Sequence, residues 1–114
     1  MAYRYDDLTP GEVYHICTRA IERKNIFLDK ADHERVLALL LHCLPQGIIQ
    51  SYSIARRLKE NLKLILPGQG LVDLLAYCVM DNHLHLLIKE NIAGGTSLYM
   101  QRVLNSYAKY FNLR

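Results

Sequence analysis

The stretch LVDLLAYCVMDNHLHLLIKE (Leu71–Glu90) holds two runs of strand-forming residues separated by little more than Asp81 and Asn82. So short a connection is that of an antiparallel hairpin, because parallel strands need a crossover of a dozen or more residues. In the second run, alternation sends His83 and His85 to one face, roughly 6.6 Å apart along the strand. Leu84, Leu86 and Ile88 form an unbroken apolar row on the other. A fold containing this hairpin must bury the leucine face, and it can leave the histidine face for something else.

The remaining elements are read around it. The segment EVYHICTRA (Glu12–Ala20) follows a Pro-Gly break and is rich in β-branched and aromatic residues, which predicts a strand. Its alternation sets Val13, His15 and Cys17 against Tyr14, Ile16 and Thr18. The polar IERKN is a loop. Asp29 caps a helix to about Leu44 with Val36, Leu37, Leu40, Leu41 and Leu44 at helical spacing, and Pro45 and Gly47 end it. In SYSIARRLKENLKLIL, Ile54, Leu58, Leu62 and Ile65 fall on one face of a second helix. The breaker PGQG precedes the hairpin. After the loop NIAGGT, Thr96 or Ser97 caps a last helix through Phe111. The order is β-α-α-β-β-α, an α+β fold in which helices cover a small antiparallel sheet. No linker or repeat divides residues 1–114, so one domain is expected.

Composition narrows the class. Hydrophobic residues make up 51% and charged ones 22%, a globular balance, and the formal net charge of +3 permits a polyanionic partner without demanding one. Cys17, Cys43 and Cys78 lie far apart in apolar segments and are expected to be buried free thiols of a reducing compartment. The polar N-terminus lacks a signal-peptide core, and the longest apolar run, Val36–Leu41, is too short to cross a bilayer. A cytoplasmic protein with no membrane partner is expected.

Two imidazoles on one strand face can converge on a divalent ion at about 2.1 Å each, and the ion would then act as a Lewis acid on a phosphoryl or carbonyl group. Two ligands do not close a shell, so a further protein ligand or a substrate oxygen is required. An isolated His-x-His in a strand is equally compatible with two tolerated side chains. His33 and His42 lie on the first helix, where a surface position or interhelical packing is the expected role. His15 joins the same face if its strand neighbours the hairpin; otherwise it is a hydrogen-bonded, half-buried histidine.

VYHICTRAIERKNIFLDKADHERVLALL, AYCVMDNHLHLLIKE and SLYMQRVLNSYAKYFNLR, in that order, together resemble the IS200-like, REP-associated tyrosine transposases of the HUH endonuclease superfamily. YCVMDNHLHLLI is the most specific part. The departure is residues 46–70, longer and more helical than the usual link. The resemblance implies a ferredoxin- or RRM-like sheet and a single-stranded or hairpin DNA partner. His83 and His85 would be metal ligands for Mg²⁺ or Mn²⁺, with Asn82 as the turn residue setting their approach. Cleavage and rejoining would run by transesterification through a phosphotyrosine link. It also admits a homodimer.

The catalytic residue is not identified by the sequence. Tyr107 and Tyr110, on the last helix, are the candidates. Met100, Leu104, Tyr107 and Phe111 form an i, i+4, i+7, i+11 stripe typical of a core face, and nothing beside Tyr110 marks a base. In the family the attacking tyrosine sits on a further helix, in a segment beyond YAKYFN. A truncated copy, a fragment or a remnant lacking its nucleophile is therefore expected. Candidate DNA contacts are Arg19 and Arg23 first, then Lys24, Arg56 and Arg57, with Arg4, Lys59, Arg102 and Lys109 behind them. Tyr3, Tyr5, Tyr14 and Tyr52 are candidates for stacking on bases. Three readings follow: an HUH-type transposase or its N-terminal core, a non-cutting nucleic-acid-binding remnant, and a small metal-dependent hydrolase using water.

Overall fold

A computed structural model describes residues 8–19, 24–58 and 65–113. The elements run β1 (Val13–Arg19), α1 (Lys30–His42), α2 (Tyr52–Arg57), β2 (Val72–Val79), β3 (His83–Glu90) and α3 (Gly95–Leu113). This is the expected α+β order. The three strands form one antiparallel sheet in the order β1-β3-β2, so the histidine strand is central. The Met80 N–H donates to the His83 carbonyl at 2.9 Å and closes the hairpin. The Asp81 carbonyl accepts from the N–H groups of Ile26 and Phe27, tying the hairpin turn to the chain that leaves β1.

Alternation decides which side is core. Ile16, Leu84, Leu86 and Ile88 are buried, and they share one apolar cluster with Val36, Leu39 and Leu40 of α1 and Tyr99, Met100, Val103 and Tyr107 of α3. The two helices thus cover the leucine face. Among the described residues none of the three helices contributes to the opposite face, where His15, Cys17 and Arg19 stand across from Leu87, His85 and His83. On β2 the register slips at Leu75, a bulge that leaves this leucine 53% exposed on the sheet edge.

Helix ends follow local chemistry. Asp29 accepts from the Asp32 N–H at 3.0 Å, the expected N-cap of α1. The cap of α3 differs from expectation. Neither Thr96 nor Ser97 closes that end; the buried Glu90 at the end of β3 reaches over and accepts from the Thr96 N–H at 3.0 Å. A carboxylate at a helix N-terminus also meets the positive end of the helix dipole. The first residue of the helix is Gly95, where a Cβ would collide with the Leu71 carbonyl oxygen.

The second helix is shorter than its apolar periodicity predicts. It ends at Arg57 with Leu58 as C-cap; Ala55 is its buried residue, whereas Ile54 and Leu58 are 40% and 59% exposed. The spacing of Ile54 and Leu58 therefore does not mark a core face, and Leu62 lies outside the described residues. On α1 the buried set is Val36, Leu39 and Leu40, so Leu39 replaces Leu41, which is 49% exposed. The cysteines divide: Cys43 is buried and its thiol is pushed up to about 11 by desolvation, with the Arg102 charge opposing. Cys17 is half-buried and Cys78 exposed, because both alternate onto the uncovered face.

Tyr99 is fully buried and its hydroxyl donates to the Leu40 carbonyl at 2.6 Å, joining α3 to α1. Burial raises its pKa above the ordinary phenol value. Tyr99→Phe leaves that carbonyl without a partner and is expected to cost about 1–3 kcal/mol. The check is urea unfolding, with a lower midpoint at unchanged slope.

Candidate metal centre

The site is built on the uncovered face of β1 and β3. His83 and His85 project together from β3, as alternation requires, with ring centroids 4.7 Å apart and planes at 74°. Antiparallel pairing sets Arg19 opposite His83 and Cys17 opposite His85, and Cys78 of β2 flanks His85 from the other side. β1 does neighbour the hairpin, so His15 joins the group. Its Nε2 lies 3.0 Å from Nδ1 of His85. The Asn82 side-chain oxygen lies 2.6 Å from Nδ1 of His83 and accepts its proton, which leaves Nε2 of His83 with the lone pair.

Cations and imidazoles dominate the electrostatics. His85 is held below the ordinary histidine pKa by desolvation first, then by His83 and His15 and the Arg19 guanidinium. Near the pKa of free histidine a larger fraction of its imidazole is therefore neutral, the form that a metal takes. A folded-state pKa below the unfolded value means that unfolding takes up protons. The contribution of His85 to stability is accordingly present above about pH 6.5 and is lost as pH falls toward the lower, folded-state pKa. In an NMR titration His85 is expected to titrate below free histidine. In His85→Gln the fall of the urea midpoint across that window should shrink.

The acid on this face is Asp73, opposite Lys89 at the far end of the sheet. It accepts from the Gly68 N–H and the Asn91 amide at 2.8 and 2.9 Å. Although desolvation opposes it, those bonds and Lys89 hold its carboxyl below the usual range. Among the described residues no three His, Cys, Asp or Glu side chains are arranged to hold a metal ion. His15 instead sets its Nε2 against Nδ1 of His85. His83 and His85 share one face as two neighbouring imidazoles, so a metal held there would need further ligands from substrate and water.

The other candidates have different places. Tyr107 is buried and its hydroxyl donates to the Ile26 carbonyl, while the Tyr110 hydroxyl donates to the Asp32 carboxylate at 2.8 Å. Both belong to the packing of α3. A cavity of about 320 Å³ beside them is lined by Phe27, Val36, Leu84 and Val103, with Tyr107, Arg19 and Lys24 on its wall and none of the three histidines. Arg56 and Arg57 are exposed on α2, outside the sheet, and Lys24 is exposed in the chain after β1. Arg102 is not a surface contact: it donates to the carbonyls of Pro45 and Gly47 and anchors that turn. Tyr14 packs against the core cluster and its hydroxyl accepts from the Thr9 N–H, and the Tyr52 ring packs against Arg35 and His42. His42 and His33 bond to the carbonyls of Gln50 and Phe27, the expected packing roles. Arg23, Arg4, Lys59, Tyr3 and Tyr5 lie outside the described residues.

Sequence reasoning passed over Cys17 and Cys78 as neighbours of His85. The period-2 pattern of each strand carried that signal, but only the pairing register brings the three residues side by side. No family model, curated protein or solved structure matches the chain. No helix among the described residues is long and apolar enough to cross a membrane.

Proposed function

We propose that this chain is a metal- and DNA-binding domain of a tyrosine transposase of the HUH type, with a sheet of the ferredoxin- or RRM-like kind. It would act on single-stranded or hairpin DNA. The observation that carries the reading is the pair His83 and His85, side by side on the one sheet face that no described helix covers, with Arg19 directly across from His83. His83 and His85 would hold a divalent ion such as Mg²⁺ or Mn²⁺. When bound, that ion would supply Lewis-acid polarisation of a phosphodiester oxygen. Arg19 neutralises phosphate beside it, and Asn82 keeps the His83 ring in its binding tautomer. His15, Arg19 and Leu87 are exposed on this face, along which a nucleic-acid strand would lie over β1 and β3.

A second reading is favoured by one observation: the Tyr107 and Tyr110 hydroxyls are both spent on structural acceptors. The chain would then bind DNA without cutting it. A labelled hairpin oligonucleotide incubated with Mn²⁺ separates the two. Salt-sensitive binding, with the metal-dependent component lost in His83→Ala, is expected of both. A covalent protein–DNA adduct marks the transposase, and binding without adduct marks the remnant. Cleavage without adduct would replace both with a hydrolase using water.

A further inference from the structure

The contact between His15 and His85 is more specific than two imidazoles sharing a face. Their ring planes are within 7° of parallel and their centroids are 5.1 Å apart, yet the facing nitrogens are 3.0 Å apart. The two separations differ by about the width of one ring, so the nitrogens lie near the line joining the centroids. Because each centroid and its nitrogen lie in the ring plane, the two rings are close to coplanar. This is an edge-on N–H···N hydrogen bond and not a face-to-face stack. Such a bond needs one N–H and one lone pair, so the two rings must hold complementary tautomers.

His83 supplies the direction. Its Nδ1, the ring nitrogen nearer the backbone, is engaged by the Asn82 oxygen, and its outer Nε2 keeps the lone pair. On His85 it is again Nδ1 that is engaged, this time by His15 from the neighbouring strand. Histidines that bind metal through one nitrogen characteristically give the other N–H to a second group, which sets tautomer and ring orientation.

We infer that His15 is a positioning residue: its Nε2 accepts from Nδ1–H of His85 and holds that imidazole in the tautomer whose Nε2 lone pair is presented for a ligand. The inference rests on the metal-binding reading of His83 and His85 for its purpose, though not for its geometry. It also accounts for His15 not standing as a third ligand.

The test uses the full chain without metal, at a pH above the histidine range, with side-chain nitrogen–proton NMR correlations to read each tautomer. In the wild type His85 is expected to carry its proton on Nδ1. In His15→Leu, which removes an exposed side chain, the proton should move to Nε2. His15→Gln places a carbonyl oxygen near the position of Nε2 and should restore the Nδ1–H form. Finding His85 as the Nε2–H tautomer in the wild type, or unchanged in His15→Leu, overturns the inference. Calorimetric titration with Mn²⁺ alone adds a second readout: His15→Leu should bind about 10- to 100-fold more weakly, as loss of such orienting partners does, with His15→Gln recovering most of it. If Mn²⁺ fails to bind the wild type while the tautomer responds as expected, the metal reading falls and the His15–His85 lock stands.

Discussion

Leu86→Ala is expected to remove about 2–5 kcal/mol of stability, and Leu87→Ala, one residue along the same strand, about 1 kcal/mol. Leu86 is 1% exposed at the centre of the sheet, in the cluster shared by β1, α1 and α3. Truncation there loses the transfer free energy of the removed carbons and leaves a cavity that surrounding strands cannot close. Leu87 is 38% exposed on the face with the histidines, opposite His15 and Ala76. Its side chain loses only part of its burial, and truncation opens no enclosed cavity. Small domains are stable by roughly 5–15 kcal/mol, so the first change removes a large share of the total and the second a small one. Parallel urea titrations of the two variants compare them directly. The contrast tests more than packing, because a one-residue slip of β3 would exchange the two faces. Equal costs, or a larger cost at Leu87, would put His83 and His85 in the core and end the case for a site there.

That dependence shows what was legible in the sequence. The short turn at Asp81-Asn82 and the row Leu84, Leu86, Ile88 announce the hairpin and its buried face, because both signals are local. The Asp29 cap is local in the same way, and Asp29 accepts from Asp32 as expected. What was not legible depends on how separate elements meet. Glu90 caps α3 in place of Thr96 or Ser97, because β3 ends where α3 begins. Ile54 and Leu58 have helical spacing, but the helix stops after Arg57, so the pattern has no surface to meet. The site divides along the same line. His83 and His85 follow from strand alternation alone, whereas the approach of His15, Cys17 and Arg19 follows from β1 pairing with β3 in one register. Spacing could not supply that register.

Asp32→Ala is expected to be among the most destabilising single changes on the helical side, at about 3–5 kcal/mol. Asp32 is fully buried, yet it sits in the first turn of α1, where a carboxylate meets the positive end of the helix. One oxygen accepts from the Leu28 N–H at 2.9 Å and the other from the Tyr110 hydroxyl at 2.8 Å. Hydrogen bonds to a charged acceptor contribute about 1.5–3 kcal/mol each, and the substitution leaves two donors without their acceptor. Arg35 lies over the Tyr110 ring, 4.4 Å from its centroid, so displacing the tyrosine loosens a cation–π contact as well. Tyr110→Phe keeps the ring and loses one bond, so its expected cost is smaller, about 1–3 kcal/mol. The pair has a functional consequence. If Tyr110 serves α1–α3 packing, Tyr110→Phe should lower the urea midpoint and leave metal-dependent DNA binding unchanged. If it attacks phosphate, the same variant should keep its binding and lose a covalent adduct that the wild type forms. Gel analysis of denatured protein–DNA mixtures distinguishes these outcomes, and the bond to a buried carboxylate argues for the first.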